Sequence, residues 1–340
     1  MITFNPGPSQ ISKDCEREMV NIVKSGLLSL SHRSEEISSL CLETLQAVRK
    51  ALNVPDNFSI FFQPSATACM ETCLRNFVDD KSFHFVHGAF SNRFYQTALD
   101  IGLKAKAFNS PDSQAVSWKS AVFDKAELIA ITINETSSGL FWPKDELQNL
   151  RQNQREALIA LDATSLLAGA ELDWESFDIC FASVQKCLGL PSGLALFFAN
   201  QKALEKAKKR QGIADWQKLE TLAKKIQKGQ TIETPNLFLI LLLGRQMKDY
   251  DLRYQAKRLK IRAENIYEQF RPYVENKQWR SPTVINLLFD DPASLKEKAI
   301  DAGYILGNGY NKLKTSCIRL ANFPSIEDQH FQNIIEILNP

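Results

Sequence analysis

Short apolar runs recur along the first part of the chain, separated by stretches with helical spacing. This alternation constrains the fold more than any other feature. Residues 58–62, 83–85, 105–108, 128–133, 157–161 and 179–182 read as buried strands, with 194–198 leading away from the last. Helical patterning lies before and between them, at 12–25, 34–52, 67–77, 92–101 and 144–152. Parallel strands need a long crossover, usually a helix, so this rhythm predicts an α/β fold around a mostly parallel sheet. Ser12 and Ser34 stand where the first two helices need caps, and Thr67 is a candidate cap for the third.

Past residue 200 the pattern changes. Two basic helical stretches fill 202–228, an apolar helix runs to Met247, and a charged helix covers 251–270. Strand 283–289, helix 293–302, strand 316–321 and helix 326–338 then read as a smaller α+β unit. No flexible linker separates the parts. The expected division is a large domain of 12–246 and a small one of 1–11 with 247–340, packed together.

The chain has 340 residues, 41 basic and 39 acidic, a net charge of +2. That balance gives no reason to expect a nucleic-acid or anionic-membrane partner. Lys206, Lys208, Lys209, Arg210, Lys224 and Lys225 cluster, but their spacing suits solvated faces of amphipathic helices. The apolar run Leu237 to Leu243 is far short of a membrane span. The N-terminus shows no secretory pattern, and the seven cysteines form no paired framework. Buried free thiols and a cytoplasmic location are expected. The four histidines and the cysteines make no metal-ligand spacing, so no metal is expected.

In an open parallel sheet, ligands bind beyond the carboxyl ends of the strands. Four segments place polar groups there: Ser65-Ala66-Thr67, Asn134-Glu135-Thr136, Asp162 and Lys186. Each has an ordinary explanation, as a cap, a turn residue or a lysine reaching solvent at a strand end. Together they supply what pyridoxal phosphate needs. That cofactor takes a lysine amine with a lowered pKa, a carboxylate for its ring nitrogen, and donors at a helix N-terminus for its phosphate.

The ordered set of segments resembles the class V aminotransferases of the pyridoxal-phosphate fold type I group, most closely the phosphoserine-directed branch linked to serine biosynthesis. It consists of Asn5-Pro6-Gly7-Pro8-Ser9, Ser31-His32-Arg33-Ser34, Val54-Pro55-Asp56-Asn57-Phe58 and Pro64-Ser65-Ala66-Thr67, then Asn134-Glu135-Thr136, Asp162-Ala163-Thr164-Ser165, Ser183-Val184-Gln185-Lys186 and Thr234-Pro235. The resemblance runs from residue 5 to Arg319. It implies a large domain with a seven-stranded, mostly parallel sheet between helices, plus a smaller C-terminal α+β domain. It also implies a homodimer with shared active sites, exchanging an amino group between a small amino acid and a 2-oxo acid, with phosphoserine and 2-oxoglutarate as one pair.

The resemblance also assigns roles. Lys186 holds the cofactor and moves the proton, Asp162 pairs with the ring nitrogen, and Thr136 bonds the phenolate oxygen. Ala66, Thr67 and Gln185 meet the cofactor phosphate, with Thr234 supplied by the second subunit. Phe90 lies against the ring. Arg319 clamps the substrate α-carboxylate, while His32 and Arg33 reach the substrate across the dimer. Some positions depart from the family pattern. Thr67 stands where phosphoserine enzymes carry an arginine. Tyr310-Asn311-Lys312-Leu313-Lys314 replaces a His-Arg pair, leaving Lys312 or Lys314 as substitute charges, and Glu233 replaces an asparagine. Other class V chemistry, a lyase or cysteine desulfurase, would need a mobile nucleophilic cysteine, and Cys187 and Cys317 lie in or beside strands. A nucleotide-binding dehydrogenase would need a glycine fingerprint that Gly307-Asn308-Gly309 does not complete.

Overall fold

The computed structural model describes residues 1–339. Its central sheet has seven strands: β1 Phe58–Gln63, β2 Lys81–Val86, β3 Lys104–Asn109, β4 Leu128–Thr132, β5 Leu158–Asp162, β6 Ile179–Ser183 and β7 Ala195–Asn200. Their order is β1-β7-β6-β5-β4-β2-β3. Only β7 runs against the others, pairing antiparallel with both β1 and β6. The carboxyl ends of β1, β4, β5 and β6 therefore share one edge.

Successive residues of a strand face opposite sides of a sheet, and here both sides are covered. In β6, Cys180 and Ala182 enter one core while Ile179 and Phe181 enter the other. All five residues of β4, β5 and β6 are buried, which explains their unbroken apolar runs. Phe61, Phe77, Phe94, Phe181 and Phe197 fill the smaller core. Truncating one such phenylalanine to alanine costs about 3–5 kcal/mol.

A second, antiparallel sheet contains β8 Val284–Leu288, β9 Gly307–Asn308 and β10 Cys317–Ala321, in the order β8-β10-β9. The N-terminal residues Ile2–Thr3 pair in parallel with Tyr304–Ile305, and the Phe4 ring lies 4.8 Å from that of Phe331. The chain's start is thus stitched to its last third. All seven cysteines are buried and free.

Two helix starts differ from expectation. The third helix is Ala66–Phe77, and Ser65 rather than Thr67 caps it, its hydroxyl accepting from the Ala68 amide at 3.1 Å. Ser65 is the extended residue that an N-cap requires. The next helix is Ala89–Asp100, three residues earlier than the local pattern indicates. Gly88 precedes it and offers no side chain, so the cap comes from a distant carboxylate, Glu135.

Candidate active site

The shared carboxyl edge gathers the predicted groups around one cavity of about 130 Å³. β1 delivers Ser65, Ala66 and Thr67; β4 ends at Thr132 and leads to Asn134 and Thr136. β5 ends on Asp162, and β6 leads to Gln185 and Lys186. Phe90 closes one wall.

Lys186 is 7% exposed. Its Nζ donates to the Pro6 carbonyl at 2.7 Å and to Thr136 Oγ1 at 3.3 Å. Burial, and then the like charge of Arg319, push its pKa down to about 8, with Asp162 opposing. The buried lysine does not reach solvent, and about a tenth of it is the nucleophilic free amine at pH 7. Its nitrogen lies 5.5 Å from the centroid of the Phe90 ring.

Asp162 is buried at the end of β5, one oxygen accepting from the Thr164 amide at 3.0 Å. Burial pushes its pKa upward, outweighing the Thr164 hydroxyl and amide and the Lys186 charge, which favour the ionised form. A cationic group placed in the cavity beside it would reverse that direction. Thr132 Oγ1 is buried without a hydrogen-bond partner, and Thr132 and Thr164 both line the cavity. Of the first-turn amides, that of Ala66 donates to Ser183 Oγ at 2.7 Å, so the Thr67 amide is the free donor beside it. An amine, an acid, an unpaired hydroxyl, a helix N-terminus and an aromatic wall fit pyridoxal phosphate.

Arg319 lies mid-strand in β10, in register with Asn286 and Gly307. Its Nη1 donates to the Thr136 carbonyl at 2.9 Å and its Nε to the Asn308 carbonyl at 2.6 Å. These bonds hold the guanidinium next to the Lys186 partner Thr136. The Tyr310 ring centroid lies 5.4 Å from its Cζ and 6.0 Å from the centroid of Phe90.

The structure separates the remaining expected residues from this group. His32, Arg33 and Thr234 do not line the cavity. Arg33 instead donates to the Ile232 carbonyl at 3.5 Å, joining the 31–34 loop to the loop that carries Thr234. His32 Nε2 is buried without a partner. Lys312 does not line the cavity and pairs with Asp112 at 3.1 Å. Cys187 is buried with its thiol directed to the Ser165 carbonyl, and Cys317 is buried in β10.

Two positions at or behind the cavity escape sequence reasoning. Glu135 is fully buried and accepts from the amides of Phe90, Ser91 and Ser137 and from the hydroxyls of Ser91 (3.0 Å) and Ser137 (2.6 Å). It caps the helix that presents Phe90 to the cavity. A Cβ on Gly88 would fall 2.3 Å from Glu135 Cγ, so only glycine admits this approach. The signal was a helix start without a local cap residue. The second position is Arg93, one turn beyond Phe90 on the same helix, which also lines the cavity.

A family model described as aminotransferase class-V matches residues 3–281. The chain belongs to the class V aminotransferases. It is a pyridoxal-phosphate-dependent transaminase. A phosphoserine aminotransferase of Corynebacterium glutamicum (strain R) is 26% identical over 97% of this chain and 92% of its own length. One from Rhodococcus jostii (strain RHA1) is 25% identical, covering 99% and 94%. Among solved structures, a phosphoserine aminotransferase SerC from Cytophaga hutchinsonii superposes with a TM-score of 0.96 at 31% identity, covering 99% of this chain and 98% of that one. An aspartate aminotransferase of Thermus thermophilus, at 19% identity and a TM-score of 0.86, shares the fold.

Proposed function

We propose that this transaminase uses small amino acids carrying a second anionic group, with phosphoserine and 2-oxoglutarate as its pair. The supporting observation is the convergence of Lys186, Asp162 and Thr136 on one cavity with Arg319 adjoining it, in a chain whose relatives are named for phosphoserine. We assign residues as follows. Lys186 holds the cofactor, Asp162 faces its ring nitrogen, and Thr136 faces its phenolate oxygen. The Thr67 amide and side chain, Ala66 and Gln185 adjoin its phosphate, and Phe90 covers one face. Bound there, pyridoxal phosphate supplies an electron sink for the pair left at the substrate Cα.

Arg319, held by the Thr136 and Asn308 carbonyls, receives the α-carboxylate through its planar fork. This orients the substrate Cα–H toward Lys186. The Lys186 amine, kept partly neutral by burial, takes that proton and returns it to the neighbouring carbon. The pair Lys186 and Arg319 thereby divides the work: the nearby guanidinium lowers the amine's pKa and also binds the substrate.

The domain division of 12–246 against 1–11 with 247–340 belongs to the same proposal, supported by the pairing of Ile2–Thr3 with Tyr304–Ile305. So does a cytoplasmic homodimer in which His32, Arg33 and Thr234 serve the neighbouring subunit's site. Its support is that all three lie outside the chain's own cavity, on two loops joined by the Arg33 contact with Ile232. No helix is long and apolar enough to cross a membrane among the described residues. The test is a panel of half-reactions, followed by loss of the bound cofactor's visible absorbance. Phosphoserine and glutamate should react with the highest kcat/KM, and equal or faster reaction with alanine and serine would overturn the substrate reading.

A further inference from the structure

The segment Tyr310 to Lys314, which departs from the family pattern, lines no part of the cofactor cavity. Its first residue nevertheless touches two groups at the site. Arg319 Cζ lies over the Tyr310 ring, 5.4 Å from its centroid. The Phe90 ring is 6.0 Å from it, centroid to centroid, tilted by 45°. Both separations fall within the ranges of cation–π and aromatic contacts, and in both it is the ring of Tyr310 that engages.

The backbone explains why the ring sits there. The Gly309 amide donates to the Cys317 carbonyl at 3.1 Å, and the Leu313 amide donates to the Tyr310 carbonyl at 2.9 Å. A Cβ on Gly309 would fall 1.9 Å from the Leu313 carbonyl oxygen, so only glycine lets the turn close this tightly. The residue before it, Asn308, gives its carbonyl to Arg319 Nε at 2.6 Å. One strand and its turn therefore supply Arg319 with both a hydrogen bond and an aromatic face. The far end of the turn is tied down as well: Lys312 and the Tyr273 hydroxyl both donate to Asp112 Oδ1, at 3.1 and 2.6 Å.

Arg319 is thus restrained from three directions. The Asn308 and Thr136 carbonyls take Nε and Nη1, while Nη2 has no hydrogen-bond partner among the described residues. A long side chain held in one rotamer before its ligand arrives has less entropy to lose on binding. We infer that Tyr310 is a positioning residue for the substrate α-carboxylate, its ring bracing the Arg319 guanidinium with Nη2 left for that group. The inference rests on the reading that Arg319 binds the α-carboxylate. It gives the segment a task on the group that every amino acid shares, not on a distal anion.

The test uses the holoenzyme and two unreactive acids, propionate and succinate, with dissociation constants read from the shift in the bound cofactor's absorbance. Tyr310→Ala should weaken both acids by the same factor, about three- to thirtyfold. Tyr310→Phe keeps the ring and should stay within about twofold of wild type. In turnover, Tyr310→Ala should raise KM for glutamate and alanine alike, with kcat changed less than about twofold. Weakening of succinate alone overturns the inference and assigns the segment to the distal anion. No weakening of either acid overturns it too, as does a Tyr310→Phe loss equal to that of Tyr310→Ala. Arg319→Gln separates the two levels: if it weakens both acids while Tyr310→Ala does not, this inference fails alone. If Arg319→Gln leaves both acids unaffected, the α-carboxylate reading fails and takes this inference with it.

Discussion

Two groups of polar residues drawn from the same sequence pattern meet different fates. Lys186, Asp162, Thr136 and Thr67 lie at the ends of neighbouring strands and share one cavity. His32, Arg33 and Thr234 come from loops and lie outside it, and the Arg33 contact with the Ile232 carbonyl joins the two loops. The first group is positioned by a sheet whose register is fixed on both faces by burial. The second is positioned by loop packing, and in the proposed homodimer it serves the neighbouring copy's site. Strand ends therefore gather polar groups around one cavity, whereas these loops place theirs outside it.

The largest effect expected from breaking the first group is Lys186→Ala. It should remove the visible absorbance of bound cofactor and lower kcat/KM by at least about 10⁴-fold, since both the attachment point and the proton carrier vanish. Retention of both signals would end the assignment. Asp162→Asn comes next. Breaking a buried charge pair costs about 3–5 kcal/mol, roughly 10²–10⁴-fold in kcat/KM measured at saturating cofactor. A loss under threefold would mean that Asp162 does not face a charged ring.

The second group is tested by mixing. Lys186→Ala and Arg33→Ala chains, each inactive alone, should regain about a quarter of wild-type activity when unfolded and refolded together, because half the dimers then hold one intact site. No recovery would place Arg33 in its own chain's economy rather than its neighbour's. Smaller still is Gly88→Ala, where the added methyl group meets Glu135. It should lower stability by about 1–3 kcal/mol in denaturant unfolding.

The finest comparison concerns pH. Lys186 is held at about 8 against a reference of 10.5, so the unfolded chain binds more protons between those values. Cofactor-free protein should therefore gain stability as pH rises through that window. Capture of added pyridoxal phosphate should likewise rise with a midpoint near 8. Arg319→Gln removes a like charge and should move that midpoint upward; an unchanged midpoint would assign the lowering to burial alone.

The legibility of the site follows the same division. Lys186, Asp162 and Thr136 were readable because a polar residue directly after an unbroken apolar run has one place to go, the sheet's carboxyl edge. The helix start at Ala89 was not, because its cap is Glu135, brought from a distant part of the chain by the pairing of β2 with β4. Arg93 was equally silent. At helix spacing it reads as one more solvated cation, and only the approach of that helix to Lys186 turns it toward the cavity. Lys312 shows the converse, a basic residue in a suggestive segment that Asp112 claims instead.

By itself, then, the order of apolar runs and helical stretches determined the parallel sheet and the edge at which its chemistry collects, since period and burial are local properties of the chain. The tertiary structure alone decided which charges face one another. Coulombic and hydrogen-bonding partners depend on distances of a few ångströms between segments that no spacing rule connects, and burial sets how strongly each is felt.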